Sequence, residues 1–370
     1  NKKANELLKQ YGFDRIKASD MIDNYNFEDR KLVEIVKATY FDPKIVVIDE
    51  TTTALSQEGR EELYKHMKRI KESGNTVIFI SHDLPEILDK SDTITILRDG
   101  VYIDTVKSSD VNENDLKKLM VGREVTGDYY RSDYGEKVSD EVVLSVKNVT
   151  VPGLIEDVSF DLHKGEILGF GGLSESGMHE IGKAIFGASY DREGSVTLAD
   201  GTQINDIPTA IKHSIAYTSK DRDNESVVLN QSIGDNICLP SLDELSNAAH
   251  LNSDKKKKKF ANKFAKQMSV KMVDVNQFVS NLSGGNKQKV VLARWIGKDS
   301  DIVVLDSPTR GIDIKVKQDI YQLMDQMRKN GKSIIMISEE LMELIGMCDR
   351  IMIMKDGRIS GELERDQNLD

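Results

Sequence analysis

The sequence predicts a duplicated α/β fold, two tandem domains on mostly parallel sheets, and three observations predict it. The first is an internal repeat. Lys44-Ile-Val-Val-Ile-Asp-Glu50 matches Asp301-Ile-Val-Val-Leu-Asp-Ser307, and Thr76-Val-Ile-Phe-Ile-Ser-His82 matches Ser333-Ile-Ile-Met-Ile-Ser-Glu339. Arg98-Asp-Gly100 likewise matches Lys355-Asp-Gly357. Asp49 and Asp306, His82 and Glu339, and Gly100 and Gly357 are each 257 positions apart (306 − 49, 339 − 82, 357 − 100), so no gap falls between these landmarks. A period this long marks duplicated domains, because solenoid repeats run about 20–50 residues. The second observation is that the short β-branched runs are apolar at nearly every position, as strands of a sheet covered on both faces must be. The third is the amphipathic helices between them. Residues 57–72 place Leu63, Met67 and Ile70 on one stripe, and the second copy places Ile320, Leu323, Met324 and Met327 similarly. Gly74 and Gly331 stand where those helices should end. Strands joined by helical crossovers imply parallel pairing.

The second copy also has an N-terminal half. It begins near Val142 and runs through Gly165-Glu-Ile-Leu-Gly-Phe-Gly-Gly172 into a helix. The matching start of the first copy would fall at 142 − 257 = −115, so about 115 residues are expected upstream if the copies are alike there. Residues 1–125 are then the C-terminal part of a first domain. Residues 126–141, rich in Gly, Ser, Asp and Tyr, are expected to be a linker, and residues 142–370 a second domain. A chain of 370 residues suits two domains.

Composition narrows the function. Hydrophobic residues make up 39% and charged residues 31%, which suits packed domains rather than a disordered chain. The net charge of −11 argues against nucleic acid as a partner, because phosphate backbones are held by basic surfaces. No apolar run approaches the ~18–20 residues that span a bilayer, and no signal peptide is visible. Cys238 and Cys348 lack metal-type spacing and suit a reducing compartment. The run Lys255 to Lys259 is expected to be a solvated helix face rather than a lipid-attracting patch.

The chemistry lies at the strand ends. A hydrophobic strand ending in Asp49-Glu50 can hold a Mg²⁺ shell with the first carboxylate and activate a water with the second. His82 follows the next strand, at the edge where ligands of parallel sheets bind. Either feature alone could be structural. In the second copy, Leu282-Ser-Gly-Gly-Asn-Lys-Gln288 precedes an apolar-periodic helix. Its glycines let backbone amides approach a phosphate, and Ser283 with the helix dipole favours an anion; a Ser-capped helix behind a Gly turn would read the same. The order is decisive: serine-glycine motif, helix, then the strand from Ile302 ending in Asp306.

On these motifs the chain resembles the ATP-binding cassette family, along essentially its whole length. The resemblance implies P-loop NTPase-type cassettes in two tandem copies. Leu282 to Gln288 looks like the family signature, which implies nucleotide binding by Ser283, Gly284 and Gly285. Asp49 (Mg²⁺, through water) and Glu50 match the Walker B aspartate and catalytic glutamate, residues 52–56 the D-loop, and His82 the switch histidine. More narrowly, the chain is similar to double-cassette ATPases of bacterial monosaccharide importers, through Leu119-Met-Val-Gly-Arg123, Asn286-Lys287-Gln288, Pro308-Thr-Arg-Gly-Ile-Asp313 and the Asp221-Arg222 pair, where members often read Pro-Glu-Asp-Arg.

Departures from the pattern sort themselves. The second P-loop slot keeps Gly172 and Gly177, but Met178 replaces the lysine, His179 replaces the Mg²⁺-binding hydroxyl and Glu175 adds a negative charge. At ~4 Å and an effective dielectric of ~20 one such repulsion is on the order of 4 kcal/mol before screening. Ser307 and Glu339 stand where Glu and His would act, and Asn26-Phe27-Glu28 occupies the slot of Ser283-Gly284-Gly285. In the family each ATP lies between one cassette's P-loop and the other's signature. Every damaged motif then belongs to one site, with Gly172, Gly177 and Asp306 as its remaining nucleotide ligands, while Asp49, Glu50, His82 and Ser283 belong to the other. The resemblance implies ATP and Mg²⁺ as ligands and an ATPase bound to transmembrane permease subunits at the cytoplasmic side of the membrane. It also implies an indirect link to a solute-binding protein. Without an upstream P-loop, the chain alone is expected not to turn over ATP. A nucleoside importer, a soluble twin-cassette ATPase acting on ribosomes and a non-hydrolysing interaction protein remain as alternatives.

Overall fold

The computed structural model describes residues 1–365 apart from 26, 50, 53–54, 82, 99–100, 122–128, 132, 134–137, 174, 247–252 and 313. The sequence-predicted residues Glu50, His82 and Asn26 therefore lie outside the described residues. The chain divides into two compact units, Asn1–Thr126 and Gly127–Asp370.

The first unit runs α1 (Lys2–Gln10), α2 (Phe27–Thr39), β1 (Ile45–Asp49), α3 (Gln57–Glu72), β2 (Thr76–Ile80), α4 (Leu84–Lys90), β3 (Thr93–Arg98), β4 (Val101–Lys107) and α5 (Glu113–Val121). β1 and β2 pair in parallel from Ile45↔Thr76 to Asp49↔Ile80, and β3 and β4 form an antiparallel pair. Ser56 caps α3 by accepting from the Gly59 amide, and Gly74, at φ +81°, takes the left-handed turn beyond its end. The α3 stripe packs as its spacing predicts, with Leu63 and Met67 buried against Leu8, Phe13, Leu32, Val46 and Ile48.

The second unit opens with β5 (Val142–Val151), β6 (Ile155–His163), β7 (Ile167–Gly172), α6 (Met178–Ile185), β8 (Glu193–Leu198), α7 (Ile207–Lys212) and β9 (Ile215–Thr218). It continues through a π-helical turn at Arg222–Ser226, α8 (Ile233–Cys238), α9 (Leu242–Leu245), α10 (Asp254–Gln267), α11 (Gly284–Lys298) and β10 (Ile302–Asp306). It ends with α12 (Ile314–Lys329), β11 (Ser333–Ile337), α13 (Leu341–Met347), β12 (Arg350–Lys355) and β13 (Arg358–Glu364). The main sheet has the order β13-β12-β7-β11-β10-β9, parallel except for the β12–β13 pair, and β6-β5-β8 form an antiparallel sheet. Helix α6 lies on the main sheet at Gly182. A side chain there would begin 2.9 Å from Tyr217, 3.1 Å from Ile337 and 3.4 Å from Val304. Lys255, Lys256, Lys258 and Lys259 are exposed on α10, as expected of a solvated face, and Lys257 pairs with Asp235 at 2.7 Å.

Two expectations change. The repeat strands were expected to be covered on both faces. That holds for β10 and β11, which are buried at every position. In the first unit β1 and β2 have one open face, with Ile45 and Val47 of β1 and Ile78 and Ile80 of β2 between 45 and 59% exposed, whereas Ile302, Val304, Ile335 and Ile337 at the same repeat positions are at most 4% exposed. The cause is α6, which shields Val304 and Ile337 in the second unit and has no counterpart among the described residues of the first. The second change concerns the stretch expected to be a linker. Tyr129 and Tyr130 pack on the Tyr321 ring at centroid distances of 5.5 and 5.2 Å. Arg131 is buried, donating to Asp133 at 3.0 and 3.1 Å, to Asp349 at 2.8 Å and to the Met347 carbonyl at 2.8 Å. These residues belong to the second unit.

Asp133 accepts from both Arg131 and Arg328. Burial alone would raise its pKa, but the hydrogen bonds and charge of Arg131, with the charge of Arg328, outweigh that and hold the carboxyl at about 2. A carboxylate depressed in the folded state contributes stability above its unfolded pKa of ~3.9 and loses it as pH falls toward about 2. Asp133→Asn should therefore destabilise the second unit by ~1–3 kcal/mol at pH 7. Urea unfolding followed by Trp295, the chain's single tryptophan, measures this. The gap between parent and variant should be constant down to about pH 5 and shrink below about pH 4; a gap that persists or widens in acid would refute the ion-pair account.

Candidate functional site

The two serine-glycine slots form different helix starts. Ser283 is the extended residue before α11, so the Gly284 and Gly285 amides open the helix. Asn286 fixes this corner, donating to Ser283 Oγ at 2.9 Å while its carbonyl oxygen accepts from the Lys271 amide at 2.8 Å. A side chain at Gly284 would begin 3.1 Å from Arg222 Nη2. The result is a set of unpaired helix-start amides beside a guanidinium, an anion-binding arrangement. In the first unit α2 starts at Phe27, the position equivalent to Gly284, but Glu28 adds a carboxylate to the first turn and accepts from Ser56 Oγ at 2.8 Å. That negative charge opposes an incoming anion.

The P-loop slot keeps its backbone and loses its cation. Gly177, at φ +88°, precedes α6, and a side chain there would meet the Leu154 carbonyl at 2.7 Å; one at Gly172 would meet the Met354 carbonyl at 2.5 Å. Both glycines are thus required by packing. Met178 is fully buried in the hydrophobic core, so the lysine position has become a core position. Ser176 is buried within the same loop, and its hydroxyl has no hydrogen-bond partner among the described residues.

Four charged side chains meet where α6 faces the end of β10. His179 Nδ1 lies 2.7 Å from Asp306 Oδ1, and its Nε2 lies 3.1 Å from Lys220 Nζ and 3.5 Å from Glu339 Oε1. Lys220 donates to Glu339 at 2.6 Å, and Ser307 Oγ donates to Asp306 at 3.2 Å. Burial would depress His179, but its hydrogen bonds to Asp306 and Glu339 and the charge of Asp306 outweigh this and hold the imidazole above its usual pKa. The cluster borders a cavity of about 660 Å³, also lined by Lys183, Arg222, Arg310 and Gly311. This donor set does not fit Mg²⁺, which needs near-octahedral oxygen ligands, because an imidazole replaces the hydroxyl and already engages the aspartate. Asp49, the equivalent of Asp306, is exposed at the end of β1 and keeps the hard-oxygen chemistry Mg²⁺ requires.

Sequence reasoning missed two features. Lys220 immediately precedes the Asp221-Arg222 pair, where Pro-Glu-Asp-Arg would put a glutamate; that charge reversal was its signal. The other is a buried carboxylate present in both units. Glu343 accepts from Thr309 at 2.7 and 2.8 Å, from Ser338 at 2.8 Å, from Tyr321 at 2.5 Å and from Lys317 at 3.3 Å. Glu86 accepts from Thr52 at 3.0 Å, from Ser81 at 2.7 Å and from Tyr64. Thr52, Tyr64, Ser81 and Glu86 match Thr309, Tyr321, Ser338 and Glu343 at the repeat spacing, which could have revealed the group.

The ABC transporter family profile matches residues 155–310. A ribose import ATP-binding protein from Clostridium tetani is 37% identical over 363 residues, covering 98% of this chain and 71% of its own length. A xylose import ATP-binding protein from Thermoanaerobacter pseudethanolicus is 42% identical over 348 residues, covering 92% of this chain and 68% of its own. A bacterial ABC transporter cassette solved as a dimer superposes with a TM-score of 0.53 at 22% identity, covering 60% of this chain and 99% of that one. At that identity the superposition shows the fold alone. Relatives matched along nearly the whole chain complete what the folded motifs began: this chain belongs to the ABC transporter family and is one of its ATP-binding cassette ATPases.

Proposed function

We propose that the chain is the ATP-hydrolysing subunit of an importer of a monosaccharide, acting from the cytoplasmic face on a membrane permease that a solute-binding protein supplies. The observation that carries this reading is the sorting of the motifs: of the groups this chain contributes, one set keeps its Walker B pair, switch histidine and signature, and the other has lost its cation, its hydroxyl and its catalytic pair. The names of the ribose and xylose import relatives support the cargo class. Among the described residues no helix is long and apolar enough to cross a membrane.

In the intact set Glu50 takes the proton of the attacking water. His82 holds the γ-phosphate side of the reaction, and the Gly284 and Gly285 amides with Ser283 stabilise charge on the transferred phosphoryl group. Mg²⁺, when bound, supplies charge neutralisation of the phosphates, and Asp49 would hold it through water. The other set, Gly172, Gly177 and Asp306 with Met178, His179, Ser307 and Glu339, has a serine where the water-activating glutamate would stand and is non-hydrolytic in this proposal.

Three outcomes test this in the full-length protein. Reconstituted with a sugar-importer permease, the protein should drive ATP-dependent uptake of radiolabelled ribose or xylose into proteoliposomes; ribosome association with no uptake would sink the importer reading. Glu50→Gln should abolish turnover while ATP still binds, because the amide keeps the shape and loses the base. A steady-state rate within about threefold of the parent would remove Glu50 from the mechanism. Ser283→Arg should cut ATPase activity by ~10²–10³, because it crowds the amides that meet the γ-phosphate, whereas Asn26→Arg at the equivalent position should stay within roughly tenfold. Equal losses, with circular dichroism confirming both folds, would show that the motif sets act as an obligate pair.

A further inference from the structure

We infer that the second unit's motif set binds the phosphates of a nucleoside triphosphate without a divalent cation, with Lys220 and His179 standing in for the missing lysine and the metal. This rests on the nucleotide reading above and adds to it the chemistry of the weaker set. Position 178 can offer no cation, because Met178 is fully buried in the core. A cation nevertheless arrives at the same helix start from another element. Lys220, two residues beyond the end of β9, places its ammonium 3.1 Å from the imidazole of His179, the second residue of α6.

The metal's place is filled by the same residues. Asp306, which would face the hydration shell of Mg²⁺, lies 2.7 Å from His179 Nδ1 and also accepts from Ser307. A hard divalent ion would have to displace an imidazole N–H from its carboxylate and sit beside an ammonium, with no hydroxyl at position 179 in return. A phosphate oxygen differs from a metal ion here, because the Lys220 ammonium and the His179 imidazole gather positive charge at the start of α6, against the negative charge of Glu175. The loop itself holds an unmet donor. Ser176 is only 4% exposed, its hydroxyl lacks a partner, and the atom lies 2.5 Å from where a side chain of Gly172 would begin, inside the turn. A buried hydroxyl left unsatisfied is costly, and an acceptor on a bound ligand relieves it. The adjoining cavity of about 660 Å³, whose wall carries Lys183, Arg222 and Arg310 together with the acids Asp221, Asp223 and Glu225, has room for the rest of a nucleotide. On binding, a phosphate oxygen replaces Glu339 as the partner of Lys220.

Equilibrium dialysis of the full-length protein with ATP, in EDTA and in Mg²⁺, tests this. In EDTA we expect about one ATP per chain, and in Mg²⁺ about two. Lys220→Ala should weaken the EDTA-resistant binding at least tenfold, and Lys220→Arg should retain most of it. With Mn²⁺ replacing Mg²⁺ and ATP in excess, electron paramagnetic resonance should count one bound Mn²⁺ per chain. The parent protein decides without any variant: no ATP retained in EDTA, or two bound Mn²⁺, overturns the inference and leaves the proposed function standing. EDTA-resistant binding that survives Lys220→Ala, with Trp295 fluorescence showing a folded variant, overturns it as well. Failure to bind ATP under either condition overturns both.

Discussion

The carboxylate of Glu343 is the constraint on which the working edge of the second unit depends. A carboxylate with almost no access to water must collect donors, and this one draws them from three directions: the turn after β10, the end of β11 and helix α12. The strand ends are thereby fixed relative to each other by a polar bond rather than by packing alone. Glu86 does the same in the first unit with Thr52, Ser81 and Tyr64, although β1 and β2 there have one uncovered face. The local geometry of that edge is thus kept where the surrounding apolar cover differs. The residues proposed to act on the nucleotide follow these strand ends in sequence, so the hub sets where they begin.

Charge follows the same logic of replacement. Losing the motif lysine to a buried methionine would leave the Asp306 end of β10 with negative charge and no counter-ion. The structure answers with Lys220 and His179, and Glu339 completes a group of two acids and two bases. The substitutions at 178, 179, 220 and 339 make physical sense together and not singly. The lysine's new position makes 220 the key to the group, because Lys220 contacts both His179 and Glu339.

Much of this was legible in the sequence. The constant spacing between Asp49 and Asp306 revealed the duplication, and the stripe of Leu63, Met67 and Ile70 located α3 because helical periodicity is local information. What failed was information carried by distant partners. An all-apolar run such as 45–49 indicates that a strand can be buried, while whether it is buried depends on a helix such as α6, more than a hundred residues from β10. Residues 129–133 have linker-like composition, yet Arg131 finds Asp349 across the fold, and no window of sequence contains both. Lys220 was hidden for a related reason: its role exists only through His179 and Glu339. The ordering of the motifs survived these gaps because each motif is short and contiguous.

The position of β7 in the main sheet has a consequence for how the protein is made. This strand leads into the P-loop, and it lies between β11 and β12. Its first hydrogen-bonded neighbour, β11, begins at Ser333, 161 residues after Gly172 (333 − 172). At a synthesis rate of ~5–20 residues per second the ribosome needs roughly 10–30 s to deliver that neighbour. Throughout that interval an apolar strand ending in Gly171-Gly172 waits without a partner, while β5, β6 and β8 can close their antiparallel sheet at once. The central strand of the second unit is therefore completed late in translation, and the nascent chain is most exposed to trapping by chaperones, or by its neighbours on the polysome, during that wait.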